Sequence, residues 1–378
     1  MITVIIDFFL EGLLSLGWQQ FTMYAIGGLL IWVAIAKDYE PMLLLPIGFG
    51  AILVNLPLAV VWEHEGVPGA LKHLFDAGIG TELFPLLIFI GVGAMIDFRP
   101  LFQRPWMMFF GAAAHLGIFI TIAIAGMMGY DLKEAASIGI IGAADGPTTI
   151  YITTRFARYL LGPITVVAYS YMSLVPIIQP PVIRALTTKK ERLRRMEAID
   201  HTIPASLVIV FPVAVTILAS ILVPIAAPLI GFLMFGNLIR ECGVLEKLSR
   251  TAQNELSNLV TLLLGITVGA SMRASDFIRI DTIKIMLLGM LAFIINSASG
   301  VIFAKFLNLF MKHKMNPMIG ACGISAFPMS SRVIQKMAMK EDPSNIILMH
   351  AVSANVSGQI GSVVAGGLVL ALVPILMK

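Results

Sequence analysis

The sequence predicts an all-α polytopic membrane protein with about ten or eleven transmembrane segments. Of its 378 residues, 58% are hydrophobic and only 13% charged, and the mean hydropathy is +0.91. Soluble domains carry about 25% charged residues. Runs of about 18 or more apolar residues recur along the chain, each long enough to cross a bilayer. Because these runs do not alternate between apolar and polar residues, they exclude a transmembrane β-barrel.

The apolar runs are separated by short polar segments. Residues 1–20 predict an interfacial amphipathic helix, with Trp18 at the bilayer surface. The predicted spans are 22–37, 41–62, 83–98, 106–129, 135–155, 160–184, 203–238, 255–272, 283–311, 316–337 and 346–377. Prolines make 203–238 a broken or hairpin segment and interrupt 135–155 and 316–337. The longest polar stretches are too short to bury a core of their own, so residues 1–378 form one membrane domain.

The net charge of +4 is concentrated in short loops and does not indicate nucleic-acid binding. The densest basic cluster, Lys189–Arg195, lies in a loop over 187–201 that we expect to be cytoplasmic. A basic surface that docks a partner is the competing interpretation. The two cysteines, Cys242 and Cys322, have no metal-ligand spacing, which argues against a zinc site or a disulfide framework.

The sequence carries a weak internal repeat, in which two stretches each resemble a later one. Gly142-Ala-Ala-Asp-Gly-Pro147 aligns without gaps on Gly323-Ile-Ser-Ala-Phe-Pro328, and each is followed by a pair of hydroxyl residues. Upstream, 91–97 resembles 267–273. The matches predict two related halves, 1–186 and 202–378, in an inverted arrangement, each with an interrupted helix near the bilayer midplane. The competing interpretation is chance, because Gly and Pro are common in membrane helices.

Asp145 is the strongest functional candidate in the sequence. It lies in an apolar run directly before Gly146 and Pro147, the pair best suited to break a helix. A carboxylate at membrane depth persists when it pairs with a cation, binds an ion or faces water. Acidic residues at broken helices form cation sites in ion-coupled transporters. A purely structural pair with Arg155 or a lysine is the alternative.

A small hard cation needs further oxygen ligands, and these cluster at the two interruptions and on the helix that follows each. They are Thr148, Thr149, Ser170, Tyr171, Ser173, Asn316, Ser325, Ser330, Ser331, Ser353, Asn355 and Ser357. Any one of these residues could instead serve only helix–helix hydrogen bonding. Arg332 is a buried cation candidate that could bind an anionic group or extend to the surface. His115 and His350 could relay protons.

The residue chemistry alone leaves three classes of function open. A sodium- or proton-coupled secondary transporter of an organic anion needs the same buried acid and broken helices. A membrane scaffold without transport would tolerate the replacement of Asp145. No motif of a soluble enzyme is present, so any chemistry acts on a group that a partner carries in.

Several separated motifs resemble the β subunit of the sodium-pumping biotin-dependent decarboxylases, which act on oxaloacetate, methylmalonyl-CoA, glutaconyl-CoA or malonate. The resemblance covers nearly the whole chain. Its motifs are Gly142–Thr148, the span that contains Tyr171, Asn316–Gly320, Ser325 and Asn355–Ser362. At 378 residues, the chain is similar to the shorter β subunits.

The resemblance implies an activity. A β subunit of this family decarboxylates carboxybiotin, exports sodium and takes up an external proton. Biotin would be carried by a partner and not attached here. The implied partners are a biotin carrier, a carboxyltransferase and a small membrane subunit, in the cytoplasmic membrane of a bacterium or archaeon, with a homotrimer of this chain. The carboxylic acid that is consumed depends on the partner.

The resemblance also implies roles for individual residues. The implied sodium-binding residues are Asp145, Asn316, Gly320, Ser325, Asn355 and Tyr171, with the ion held at Asp145 and Asn355. Thr148 joins the predicted sodium ligands because of its hydroxyl beside the first interruption. The implied catalytic residues are Asp145, Tyr171, Ser325 and Arg332. Our own hypothesis for the mechanism is that Tyr171 and Ser325 pass a proton to the biotin nitrogen and that Arg332 lies near the carboxylate of carboxybiotin.

Overall fold

The computed structural model describes residues 16–38, 40–57, 60–196 and 202–377. Within these ranges the regular elements are helices, apart from one hairpin of two-residue strands, β1 (Glu63–His64) and β2 (Val67–Pro68). The predicted all-α membrane fold is therefore confirmed. Most of the predicted helix over 1–20 lies outside the described residues.

The helices up to residue 186 are α1 (Trp18–Lys37), α2 (Pro41–Val54), α3 (Ala70–Gly78), α4 (Leu83–Met95), α5 (Arg99–Gln103), α6 (Met108–Ala114), α7 (Leu116–Met127), α8 (Leu132–Gly139), α9 (Gly146–Phe156), α10 (Leu161–Ser173) and α11 (Val175–Leu186). The later helices are α12 (Lys189–Arg192), α13 (Ala205–Leu222), α14 (Ala227–Glu241), α15 (Glu246–Thr251), α16 (Ser257–Ala270), α17 (Ala274–Phe277), α18 (Ile280–Phe310), α19 (Met329–Glu341) and α20 (Leu348–Leu376). Short 3₁₀ or π turns join them at Pro105–Met107, Ile140–Ala143, Arg158–Leu160, Pro224–Ala226, Ala252–Leu256 and Pro317–Gly323.

Fewer helices qualify as membrane spans than the sequence predicts. Among the described residues, the helices long and apolar enough to cross alone are Trp18–Lys37, Pro105–Met127, Ala205–Leu222, Ile280–Phe310 and Leu348–Leu376. Two bent pairs, α3 with α4 (59°) and Arg158–Ser173 with α11 (67°), raise the number to at most seven. The prediction of ten or eleven is higher because it counted shorter elements. Helices α2, α14 and α16 have 14 or 15 residues, whereas a straight crossing needs about 20.

Two helix contacts occur as a reciprocal pair. Helix α2 packs on α16, and α14 packs on α4. A Cβ atom on Gly50 of α2 would lie 2.3 Å from the Ile266 carbonyl oxygen, and one on Gly236 of α14 would lie 2.0 Å from that of Ile90. Because only glycine permits such close backbone approach, small residues fix both interfaces.

Two asparagines repeat the same exchange. Asn55 donates through Nδ2 to the carbonyl of Met272 at 2.8 Å, and Asn237 donates to the carbonyl of Ile96 at 2.9 Å. Met272 and Ile96 occupy equivalent positions in the repeated stretches 91–97 and 267–273. Each contact is therefore made once by each half against the other, and this supports the interpretation of two related halves.

Both predicted interruptions are present, and each interrupted segment folds back as a hairpin. The first hairpin, residues 132–156, breaks after the turn Ile140–Ala143. Its two ends meet, because the hydroxyl of Tyr159 donates to Glu134. The second hairpin, residues 317–341, breaks between Pro317–Gly323 and α19.

The ends of the second hairpin are held by one loop. Asn316 and Asn345 both donate to the backbone carbonyls of Arg192 and Arg194, at 2.8–3.3 Å. A segment whose two ends share the same partners returns to the side from which it started. The second hairpin therefore does not count as a membrane crossing.

The two hairpins start from opposite ends of α18. At the first end, burial and the carboxylates of Asp281 and Glu134 raise the pKa of Tyr130, which precedes the first hairpin. At the other end, Asn308 binds both backbone groups of Met315, next to the second hairpin. Helix α18 has 31 residues and is about 46 Å long, which is enough to cross a bilayer. The hairpins therefore approach each other from opposite sides of the membrane.

Candidate functional site

The two hairpin breaks meet inside the protein. The backbone N–H of Ser325, in the second break, donates to the carbonyl oxygen of Ala143, in the first break, at 3.1 Å. Ala144, the next residue, has a left-handed φ of 55°, which stops the preceding turn because this conformation cannot continue a right-handed helix. The chain then restarts as α9 with Asp145 at its N-terminus.

Asp145 is buried, with 5% of its surface exposed, and its carboxylate accepts three hydrogen bonds. Thr148 donates its backbone N–H to Oδ1 at 3.2 Å and its hydroxyl to Oδ2 at 2.7 Å. Ser362 of α20 donates its hydroxyl to Oδ2 at 2.7 Å. The N-terminus of a helix and these donors favour the charged form of a carboxylate, whereas burial disfavours it.

No basic side chain neutralises Asp145 within the described parts of the chain. Arg155, the alternative partner considered from the sequence, instead binds Glu82 through Nε at 2.6 Å and Nη2 at 2.8 Å. A buried carboxylate without a basic partner requires a bound cation or a proton. The structure therefore excludes the Asp145–Arg155 pair and leaves the carboxylate to a bound cation or a proton.

Ser325 is connected to Asp145 through a single hydroxyl group. Its Oγ donates to the Oγ of Ser362 at 2.7 Å, and the Ser362 hydroxyl lies within hydrogen-bond distance of both Asp145 and the carbonyl of Gln359. A second acceptor for Ser325 is the carbonyl of Gly358, at 3.3 Å. Hydroxyl groups both donate and accept, so Ser325 and Ser362 form a continuous path to the carboxylate.

Two amides on α20 hold the second break. Asn355 donates to the carbonyls of Ile324 at 2.7 Å and Cys322 at 3.3 Å, and Gln359 donates to the carbonyl of Ser325. The Oδ1 atom of Asn355 is buried and accepts no hydrogen bond from the described residues. An unpartnered buried oxygen carries a desolvation cost of about 1–3 kcal/mol, which a cation ligated there would relieve.

A third amide, Asn296 of α18, holds the first break. Its Nδ2 donates to the carbonyl of Gly142, and its Oδ1 is buried without a donor among the described residues. Each break is thus fastened by an asparagine from a long helix. Asn296 and Ser362 were not among the predicted site residues, since a lone polar residue in an apolar run does not reveal which break it faces.

The oxygen groups near Asp145 fit a small hard cation. The carboxylate, the hydroxyls of Thr148 and Ser362, and break carbonyls are all of the ligand type that such ions prefer. Thr149 directs its hydroxyl to the backbone carbonyl of Asp145 at 2.7 Å and so stays on the same turn. The predicted residues Asp145, Thr148 and Ser325 lie together, and Asn355 holds the adjacent backbone.

The structure does not bring Tyr171 to this cluster. Its hydroxyl donates to the carbonyl of Met286 on α18, and its side chain belongs to the apolar cluster that includes Ile141 and Val167. The tyrosine next to the acid is Tyr169, since a Cβ atom on Gly146 would lie 2.3 Å from its hydroxyl oxygen. Helical spacing separates the two rings, because residues two apart point in different directions.

Asn316 and Gly320 lie along the entry of the second hairpin. Asn316 caps the turn Pro317–Gly323 through the backbone N–H of Met318 at 3.1 Å. A Cβ atom on Gly320 would lie 2.0 Å from the Gly300 carbonyl oxygen, so this glycine permits close packing on α18. Neither residue has a hydrogen bond to Asp145 among those of the described chain.

Arg332 does not occupy the predicted buried position. Its side chain is exposed and has no ion pair within the residues that the structure describes. The reason is the helical period of α19, which turns Ser330 and Ser331 into the protein and leaves Arg332 on the outer face. This placement corresponds to the surface alternative considered from the sequence.

Comparison with known proteins places the chain in one group. A family described as the Na+-transporting oxaloacetate decarboxylase beta subunit matches residues 19–373. The chain is 45% identical to methylmalonyl-CoA decarboxylase subunit beta of Propionigenium modestum, over 98% of this chain and 100% of that protein. It is 46% identical to glutaconyl-CoA decarboxylase subunit beta of Acidaminococcus fermentans, over 96% of each chain. It is 44% identical to oxaloacetate decarboxylase beta chain 2 of Salmonella typhi, over 95% of this chain and 96% of that one.

Proposed function

Since the chain belongs to the family of β subunits of Na+-transporting oxaloacetate decarboxylase, we propose that it decarboxylates carboxybiotin and couples this reaction to sodium export with uptake of an external proton. The chain is a decarboxylase subunit and a multi-pass membrane protein. The observation that carries the proposal is the buried carboxylate of Asp145, which lies at the meeting point of two broken helices without a basic partner in the described chain.

Sodium is the transported substrate in this proposal, and Asp145 supplies its negative charge. Rotation of the Thr148 and Ser362 hydroxyls would turn their oxygen lone pairs, which now lie beside the carboxylate, towards the ion. The free Oδ1 of Asn355 and break carbonyls are further oxygens on α20 and the second hairpin. Ion and proton compete for one carboxylate, because protonation removes the charge that holds the cation.

The hydroxyl path supports a role for Ser325 in proton transfer. Release of carbon dioxide from carboxybiotin breaks the bond between nitrogen and the carboxyl carbon and leaves a nitrogen that takes up one proton. A proton displaced from Asp145 by sodium can pass through Ser362 to Ser325, since consecutive oxygens are 2.7 Å apart. Tyr171, whose hydroxyl faces Met286, would act on this path only after a rearrangement of α10.

Biotin enters the proposal as a group on a partner protein. The similar proteins are subunits of decarboxylases, and we propose that a biotin carrier, a carboxyltransferase and a small membrane subunit assemble with this chain as a homotrimer in the cytoplasmic membrane. Arg332 is exposed on α19, where it could meet an incoming carboxylate at the protein surface. The second hairpin, clamped by the basic loop, would face the partner.

The test is sodium transport and carboxybiotin decay in membrane vesicles that contain the complete complex. We expect Asp145→Asn to lower both rates by about 100-fold or more, because the loss of a buried charge partner costs about 3 kcal/mol or more. Thr149→Ser keeps the hydroxyl that donates to the backbone carbonyl of Asp145, and it serves as the matched control. Full coupled activity in Asp145→Asn would refute the proposal.

Two further readouts separate the alternatives. Tyr171→Phe with unchanged activity would remove Tyr171 from the proton path and leave Asp145 in place. Capture of the solubilised chain on avidin would show a biotinylated partner. Sodium-coupled uptake of an organic anion by the chain alone, with no biotinylated protein bound, would instead favour a secondary transporter.

A further inference from the structure

A basic pocket lies where α18 ends, beside the loop that follows α11. Its volume is about 510 Å3. The lining residues are Leu186, Glu191, Arg194, Ile302, Lys305, Phe306, Asn308, Leu309 and Lys314. The pocket is separate from the hairpin breaks, since neither Asp145 nor Ser325 lines it.

The polar wall of the pocket has an excess of positive charge. Arg194, Lys305 and Lys314 contribute three cations against one carboxylate, Glu191. That carboxylate lies 3.4 Å from Lys305. Arg194 and Lys314 therefore have no counter-charge among the residues that line the pocket. Arg194 is fixed by a hydrogen bond to the Met315 carbonyl at 3.3 Å, and Lys314 is exposed without an ion pair among the described residues.

The other wall of the pocket is apolar and belongs to the outer face of α18. Ile302, Phe306 and Leu309 are 55%, 52% and 77% exposed. Their spacing of four and three residues places them on one stripe of the helix, which continues from the basic groups towards the centre of the membrane. A charged end and an apolar stripe in one continuous surface match an amphipathic ligand.

We propose that this pocket binds an anionic phospholipid in the leaflet on the side of the basic loop. The phosphate lies among Arg194, Lys305 and Lys314, and an acyl chain follows the stripe of Ile302, Phe306 and Leu309. Basic pockets between membrane helices bind anionic headgroups through these same interactions. The general excess of basic residues in cytoplasmic loops does not by itself create a cavity with an apolar stripe.

The pocket is connected to the second hairpin. The backbone carbonyl of Arg194, which lines the pocket, accepts hydrogen bonds from Asn316 and Asn345 at the two ends of that hairpin. A phosphate held by the Arg194 side chain would therefore steady the loop that clamps the hairpin. This inference does not rest on the decarboxylase activity, and it predicts binding to the isolated full chain.

The experiment titrates the detergent-purified full chain with dioleoylphosphatidylglycerol or dioleoylphosphatidylcholine and counts bound lipid by native mass spectrometry. We expect phosphatidylglycerol to bind and Lys314→Gln to weaken that binding about fivefold, since one basic group contributes about 1 kcal/mol near an anionic headgroup. Lys247→Gln is the matched control, because Lys247 is exposed on α15 and does not line the pocket. The control should leave the affinity unchanged.

Three outcomes would overturn the inference. Equal weakening by Lys314→Gln and Lys247→Gln would show diffuse surface charge. Displacement of the lipid by inorganic phosphate at the same concentration would show a small-anion site. Cross-linking of two Leu309→Cys chains in native membranes would show that a second copy covers the stripe.

Discussion

The two hairpins use similar sequences to build breaks of different chemistry. The first break places the carboxylate of Asp145 at the N-terminus of α9, where Thr148 and Ser362 donate to it. The second break has Ala326 at the aligned position and no charge in its turn. Its carbonyls are bound by Asn355 and Gln359 of α20. The comparison supports the proposal that the first break holds the ion, since only the first break carries a charge, while the second offers neutral oxygens.

The hydroxyl of Ser362, which lies between Asp145 and Ser325, offers the strongest test of the different roles of the two breaks. Ser362→Ala removes a hydrogen bond to a charged group, and such bonds contribute about 1.5–3 kcal/mol. Because the same change removes an oxygen that we propose as an ion ligand, we expect sodium affinity to fall by about 10- to 100-fold, together with a lower Tm in detergent. The measurement is binding of radioactive sodium to purified protein.

Ser357→Ala is the control for Ser362→Ala. Ser357 lies on the same helix and donates to the Ala354 carbonyl at 2.6 Å, away from the carboxylate. A loss of sodium affinity as large as that in Ser362→Ala would mean that α20 acts through its general stability, and the difference between the breaks would not stand.

The two asparagines that hold the breaks provide a direct comparison. Asn355→Leu frees the carbonyls of Ile324 and Cys322, and Asn296→Leu frees that of Gly142. We expect each variant to lose at least about 1–3 kcal/mol of stability, seen as a lower Tm. Only Asn355→Leu should also weaken sodium binding, because Asn355 belongs to the predicted ligand set and faces the uncharged break. Equal loss of sodium affinity in both variants would place Asn296 in the ion site as well.

The reciprocal glycine contacts test the relation between the halves. Gly50→Ala and Gly236→Ala would each place a methyl group within 2.3 Å of a backbone oxygen, and such overpacking costs about 1–3 kcal/mol. We expect similar decreases in Tm for the two variants. Gly28→Ala, with nothing within 4 Å of the added carbon, is the control, and a large decrease in only one of the pair would contradict equivalent interfaces.

The smallest effect is expected at the mouth of the second hairpin. The guanidinium of Arg195 donates to Asp342 at 2.8 Å and holds the pKa of this exposed carboxyl below its ordinary value. Its contribution is therefore present above about pH 4, the value of an unfolded Asp, and is lost as the pH falls through the lower folded value. Asp342→Asn should lower Tm slightly at pH 7 and leave it unchanged at low pH. A Tm difference from the wild type that persists at low pH would contradict this prediction.

Much of the site can be predicted from the sequence, because a charged residue within a long apolar run is recognisable without a structure. The acid, the following Gly-Pro and the second proline segment predict both breaks, and Thr148 and Ser325 follow from their proximity to them. The contacts that complete the site join distant parts of the chain. Ser362 is 217 positions from Asp145, and nothing local in its apolar helix identifies the face it presents.

The differences between the sequence-based expectations and the structure have physical reasons as well. Hydropathy does not separate a crossing from a hairpin that returns, so both hairpins were counted among the predicted spans. A basic residue close to a proline break suggested a buried Arg332, but the helical period of α19 turns it outward. Tyr171 and Tyr169 lie two residues apart in one apolar run, and only the packing of Tyr169 on Gly146 shows which is nearer the acid.

The most direct test of the central claim is the sodium affinity of the purified chain as a function of pH, with the wild type and Asp145→Asn compared. If one carboxylate binds either sodium or a proton, the affinity of the wild type should fall with decreasing pH towards tenfold per unit. The Asp145→Asn chain should bind sodium weakly at every pH. Sodium binding of equal affinity in both proteins would contradict the assignment of Asp145 as the shared site of ion and proton.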